Sequence, residues 1–299
     1  MKLARFRIDD EPARCGLVDD DSLIPVGDGD QILELAMRRR LLSAAGPPVS
    51  IAEATILTPV PDPPSIRDFY AFEEHVKTAR EARGLEMDPD WYELPVFYFT
   101  NPAAVLGPDD EVVMPPGSEA LDYELEVAAV IGHEAVGEEA GPECIAGFTI
   151  MNDWSARDLQ RREMGQGLGP AKGKDFATSL GPWLVTPDEL PGWKEGRPRG
   201  LMVARVNDEE WSRGDLGSLH HSWEAILSHA ARGTRLRAGD VIGSGTVGTG
   251  CILELSLVHG SEKYPWLEPG DVVELEVEGL GVLANTIVAE PADASSDSA

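Results

Sequence analysis

Between Leu121 and Val127 the chain reads Leu-Asp-Tyr-Glu-Leu-Glu-Val, with a carboxylate at every second position: Asp122, Glu124 and Glu126. A β-strand sends successive side chains to opposite faces. The spacing therefore predicts three acids on one face, with Tyr123, Leu125 and Val127 on the other. The run continues into Ala-Ala-Val-Ile, which reads as buried. Like charges aligned in this way repel, and taking them into a core demands a compensating cation. A hard divalent metal held by carboxylate oxygens meets that demand. A solvated sheet face answers the pattern equally well.

The rest of the composition narrows the classes. A chain of 299 residues is long enough to bury a large core, as one domain or as one with a small appendage. The formal net charge of -28, from 25 Lys and Arg against 53 Asp and Glu, argues against nucleic acid as a partner, because no basic stripe neutralises phosphates. The only basic run, Arg38-Arg39-Arg40, suits a helix C-terminus. An anionic substrate would then need a locally positive pocket. Cys15, Cys144 and Cys251 lie far apart, which suits a reducing cytoplasm and provides neither a disulfide frame nor a zinc motif. Neither a leader-like apolar segment nor a run of membrane-spanning length is visible, so a cytoplasmic protein without membrane attachment is expected.

Along the chain, residues 2–26 read as short strands and Ile32 to Leu42 as a helix. Pro59-Val-Pro-Asp-Pro-Pro64 reads as a linker, placing a small N-terminal domain at residues 1–62. Phe69, Phe72, Val76 and Ala79 follow helical spacing up to a stop at Gly84. From Val96 strands dominate: 96–100, 111–114, 122–131, 145–151, 183–186, 201–206, 252–258, 272–277 and 282–288. In this stretch helices are predicted only at Ser155–Arg162 and about 222–231. The class is a β-rich α+β fold, with the main domain at 63–290 and a disordered tail at 291–299.

Several motifs bear on chemistry. Gly243-Ser-Gly-Thr-Val-Gly248 has the spacing of a dinucleotide loop, but the strand-like run after it offers no helix N-terminus for a pyrophosphate. Lys172 and Lys174 among glycines lack phosphate-loop spacing and fit a solvated turn somewhat better than an anion contact. In Met151-Asn-Asp-Trp-Ser-Ala-Arg-Asp158 a strand runs into a helix. Asp153, Arg157 and Gln160 then share a face, unless Asp153 is simply a helix cap. Asp68 and His75 would also share a face of one continuous helix. His220-His221 reads as structural.

Six segments, in this order, resemble the fumarylacetoacetate hydrolase family over residues 60–290. They are Arg67-Asp-Phe-Tyr70 with His75, Leu94-Pro-Val-Phe-Tyr98, Leu121 to Glu126, Met151 to Asp158, Gly173-Lys-Asp-Phe176 and Pro269-Gly-Asp-Val-Val273. The resemblance implies a mixed β-roll with a smaller N-terminal domain, and a homodimer. It implies Mg²⁺, or Ca²⁺ or Mn²⁺, on Glu124, Glu126 and Asp153, with Asp68 added as in the larger members. His75 would activate water, Lys174 and Gln160 would stabilise the oxyanion, and Tyr70, Arg83, Tyr98 and Arg157 would hold a keto acid. Thr246, in the glycine-rich loop, joins the substrate-contact candidates.

One departure from the family stands out. Members of this kind orient the histidine with a glutamate, either near the C-terminus or three positions after the histidine. Here that second place is Thr78, and the loop 243–250 carries Thr246 and no acid. The expected activity is hydrolysis of a carbon–carbon bond in a β-diketo acid. Decarboxylation or isomerisation of a 2-oxo dioic acid, which needs no water-activating pair, is the alternative. A non-catalytic keto-acid or metal binder is the third.

Overall fold

A computed structural model describes residues 1–38, 42–137, 140–195 and 197–291. Five strands carry the site: Thr178–Val185, Ile145–Asp153, Leu125–Ile131, Val241–Gly243 and Ile66–Phe69, hydrogen-bonded in that order. Every residue of Leu125–Ile131 and Ile145–Asp153 is buried. These strands are apolar throughout because both of their faces are covered. Leu125, Val127, Ala129 and Ile131 pack into the main core with Met202, Ala204, Leu275 and Leu283 of a second, five-stranded sheet. From the other face, Val130 packs with Ile32, Leu35 and Ala36 of helix α1 (Ile32–Arg38). Tyr123 fastens the layers through its hydroxyl, 2.6 Å from Ser212 Oγ.

The N-terminal strand Lys2–Arg7 pairs antiparallel with Thr178–Val185, with Leu3 opposite Leu184. The strands Arg14–Asp19, Ser22–Asp28 and Val49–Ser50 extend the same sheet outward. At the opposite edge, Phe97–Thr100 pairs with Ile66–Phe69. The remaining helices are α2 (Glu73–Glu81), α3 (Arg157–Met164), α4 (Trp223–Ala231) and α5 (Ile252–His259). A β-rich fold with few helices is what the sequence predicts. No helix among the described residues is long and apolar enough to cross a membrane.

Four local expectations are corrected. Asp68 lies on the strand Ile66–Phe69 while His75 is on α2, so no continuous helix joins them. Leu121–Val127 is interrupted: Leu121–Asp122 and Leu125–Ile131 are separate strands, and Glu124 bridges Cys251 between them. Asp153 is the last residue of a fully buried strand and α3 begins only at Arg157, so Asp153 neither shares a helix face with Arg157 and Gln160 nor caps that helix. The run 252–258 is helix α5. Its apolar alternation mimics a strand, but Gly260, with φ of 94°, closes it as a helix. Of the expected basic helix end, Arg38 pairs with Glu34, whereas Arg39 and Arg40 lie outside the described residues, as does the tail beyond residue 291.

Candidate metal centre and catalytic dyad

The ends of three central strands bring Asp68, Glu124, Glu126 and Asp153 together, one carboxylate oxygen of each lying within 4.8 Å of the others. All four are buried. Asp68 fits because its neighbour in the parallel pairing is Gly243, where a Cβ would come within 2.3 Å of Asp68 Oδ1. The chain then turns at Gly245, whose φ of 80° and closeness to the Phe69 carbonyl exclude a side chain. These requirements give the glycine-rich loop a role with no nucleotide in it.

The four acids are unequally satisfied. Glu124 has both oxygens engaged: Arg157 Nη2 donates to Oε1 at 2.7 Å and Lys174 Nζ to Oε2 at 2.6 Å. Burial favours its neutral form, but Lys174 and Arg157 outweigh burial and hold its pKa below the usual range. Asp153 accepts from Lys174 Nζ and, at 2.5 Å, from the Tyr98 hydroxyl. Thr246 donates to Glu126 Oε1 at 3.3 Å. Asp68 Oδ1, Glu126 Oε2 and Asp153 Oδ1 remain buried without a hydrogen-bond partner. Burial, then the charge of Asp153, pushes Asp68 well up; burial, then Asp68, does the same to Glu126. Asp153 is also raised, chiefly by burial, with Lys174 opposing.

Unpaired buried carboxylate oxygens are costly, and here three converge. One lysine and an arginine shared with Asp122 do not neutralise the set. An all-oxygen donor set with residual negative charge fits a hard divalent cation such as Mg²⁺, Ca²⁺ or Mn²⁺. The predicted ligands therefore suit the metal they were assigned.

His75 and Glu254 make the second half of the site. His75 Nδ1 is 2.8 Å from Glu254 Oε2, and both side chains are buried. The oxygen lies off the Nδ1–H axis, so the contact is close without being a linear hydrogen bond. The Tyr70 ring meets the imidazole edge-on at 5.2 Å. Glu254 is the glutamate that the sequence reading did not find. It is the third residue of α5, and reading that segment as a strand concealed it. Glu74 and Glu81, both on α2 within two turns of His75, are not the partners.

Asp122 is a further residue whose place the sequence left open. It is wholly buried and stands apart from the four-acid cluster. Its oxygens accept the N–H groups of Ile252 and Leu253, at 2.7 and 3.0 Å, and Arg157 Nε at 2.7 Å. Cys251, the residue before α5, makes no side-chain cap, so a carboxylate from a distant segment caps the helix that carries Glu254. The helix missing from the sequence argument against a dinucleotide is thus present, but its first amides are occupied by Asp122. Arg157 links the two halves: Asp122 at Nε, Glu124 at Nη2 and Gln160 Oε1 at Nη1. Its guanidinium is thereby paired with two protein acids. Arg83 is exposed near the end of α2, and its Nε donates to the Ala79 carbonyl. His221 is structural, holding the Trp91 carbonyl at 2.9 Å.

Known proteins share this arrangement of strands and sequence. A human mitochondrial oxaloacetate tautomerase, FAHD2A, is 32% identical over 260 residues, covering 85% of this chain and 76% of the relative. A fumarylacetoacetase of Oryza sativa is 29% identical, covering 80% and 72%. The solved fumarylacetoacetate hydrolase of psychrophilic Exiguobacterium antarcticum superposes with a TM-score of 0.76 at 28% identity, over 97% of this chain and 100% of that one. The family model of the fumarylacetoacetate (FAA) hydrolase C-terminal region matches residues 65–288, the stretch that holds every side chain of the site, and on that match the chain belongs to the fumarylacetoacetate hydrolase family.

Proposed function

We propose that the protein is a divalent-metal-dependent hydrolase that cleaves a carbon–carbon bond in a small β-diketo acid of the fumarylacetoacetate or acylpyruvate type. The observation that carries the reading is the buried His75–Glu254 contact beside a buried carboxylate cluster. Asp68, Glu124, Glu126 and Asp153 would hold the metal, which when bound supplies Lewis acidity to the diketo oxygens and to the enolate that leaves.

The chain's own groups do the rest. His75 takes a proton from water, and Glu254 fixes the imidazole and stabilises its cation. The water oxygen bonds to the distal carbonyl carbon, and the resulting oxyanion accepts hydrogen bonds from Lys174 and Gln160. As the carbon–carbon bond breaks, its electron pair passes to the enolate, and His75 returns the proton. Tyr70, Tyr98, Thr246 and Arg83 hold the substrate's polar groups. Arg157 acts through Glu124 and Asp122, as a positioning residue. Lys174 supplies a fixed cation to an anionic substrate inside an acidic protein.

A second reading is isomerisation or decarboxylation of a 2-oxo dioic acid. The similarity to an oxaloacetate tautomerase favours it, because enolate stabilisation alone suffices for that chemistry. A panel of acylpyruvates, fumarylacetoacetate and oxaloacetate, assayed with Mg²⁺ and with chelator, separates the readings. Hydrolysis that disappears in His75→Ala supports the first. Tautomerisation or decarboxylation that persists in His75→Ala, with no hydrolysis in the parent, overturns it in favour of the second.

A further inference from the structure

His75, Cys251 and Glu254 form a second constellation, different in chemistry from the four acids. One ligand atom from each lies within 4.8 Å of the other two, and all three residues are buried. Cys251 Sγ is 3.7 Å from Glu254 Oε2, the same oxygen that His75 Nδ1 approaches to 2.8 Å. His75 Nδ1 and Glu254 Oε1 have no hydrogen-bond partner, although both side chains are more than nine-tenths buried. One nitrogen, one sulfur and one carboxylate oxygen make a poor site for Mg²⁺ and a good one for zinc.

We propose that His75, Cys251 and Glu254 bind a thiophilic divalent cation such as Zn²⁺, at a site separate from the carboxylate cluster, and that its occupation silences His75. With zinc–ligand distances of about 2.0–2.3 Å, tetrahedral donors stand roughly 3.3–3.6 Å apart, so the sulfur at 3.7 Å is already near its place and the nitrogen at 2.8 Å need only open slightly. Zinc takes cysteine as the thiolate, so the thiol proton leaves as the metal enters. An imidazole ligated through Nδ1 carries its remaining proton on Nε2 and cannot accept another from water. Mg²⁺ in the carboxylate cluster does not relieve this block, because the two cations occupy different donors. The inhibitory consequence rests on His75 being the base proposed above; the binding itself does not.

Cobalt(II) is the probe, added to the full chain with excess Mg²⁺ filling the oxygen site. A thiolate-to-cobalt charge-transfer band in the near ultraviolet, at one equivalent, is expected. The band should vanish in Cys251→Ser and persist in Cys15→Ser and in Glu126→Gln. Cys251→Ala is the second variant should the serine fail to fold. In activity assays, Zn²⁺ should inhibit the Mg²⁺-loaded protein, and Cys251→Ser should need at least about tenfold more zinc for half-inhibition. The absence of a thiolate band in the folded parent, or a band unchanged in both Cys251 variants, overturns the proposal. A Cys251-dependent band without inhibition leaves the site standing and sinks the role given to His75.

Discussion

At the scale of the residue, the two halves of the site make separable demands. Removing Glu124 and Glu126 takes away two of the four oxygen-donor residues, including the one acid of the four whose two oxygens are both paired. Glu124→Ala with Glu126→Ala is therefore expected to abolish Mg²⁺-dependent turnover and the Mg²⁺-induced rise in Tm; full activity in excess chelator would remove the metal from the mechanism. In the proposed reaction His75 serves the water step. His75→Ala should lower hydrolysis about 10²–10⁴-fold while leaving Mg²⁺ binding at the carboxylate cluster intact. Glu254→Gln tests the dyad more finely, because the amide keeps the shape but cannot stabilise an imidazolium. A fall in kcat of about 10²-fold or more with KM little changed is expected, and a selective rise in KM would argue that Glu254 touches substrate instead.

At the scale of the element, α5 decides whether the histidine is a base or a bystander. Asp122 holds its N-terminus and Arg157 ties that carboxylate to Glu124. Asp122→Ala would orphan two helix amides and the Nε–H of a buried guanidinium. A loss of about 1–3 kcal/mol is expected from denaturant unfolding, together with reduced hydrolysis as Glu254 loses its anchor. Asp122→Asn retains one acceptor and should lose less of both; equal losses in the two variants would mean that charge, not capping, is what matters. The same element shows what the sequence could convey. Glu126 is legible because it sits on an apolar strand whose alternation survives folding. Asp153, which the residues alone put on a helix face or cap, enters the ligand set only through the family resemblance. Glu254 is not legible, because Leu257 and Val258 are exposed while the glutamate is buried, which inverts the usual rule. The flanking Gly250 and Gly260 were the remaining signals of a short helix. The spacing of Asp68 and His75 suggested proximity for a wrong reason: a strand and a helix, not one helix, carry them to the same site.

At the scale of the whole molecule, the buried acids make stability depend on pH and metal together. Asp68, Glu126 and Asp153 have pKa values raised in the folded state, so the folded chain holds their protons more tightly than the unfolded one. Their contribution to the metal-free protein is fully favourable below the unfolded values, about 3.9 for Asp and 4.3 for Glu, and is lost as pH rises through the higher folded values. Glu124, lowered, acts in the opposite sense: its contribution is present above the unfolded value and falls away only in stronger acid. The net charge of -28 adds a repulsion that also relaxes on mild acidification, so a bare pH slope does not identify the cluster. The metal does, because it binds only deprotonated carboxylates. The Tm gained on adding saturating Mg²⁺ should therefore be large at pH 8 and shrink toward pH 5. Glu126→Gln, neutral throughout, should flatten the slope of the metal-free curve between those limits. Parallel curves with and without Mg²⁺, or a slope untouched by Glu126→Gln, would show that the four carboxylates are not where the fold stores this charge.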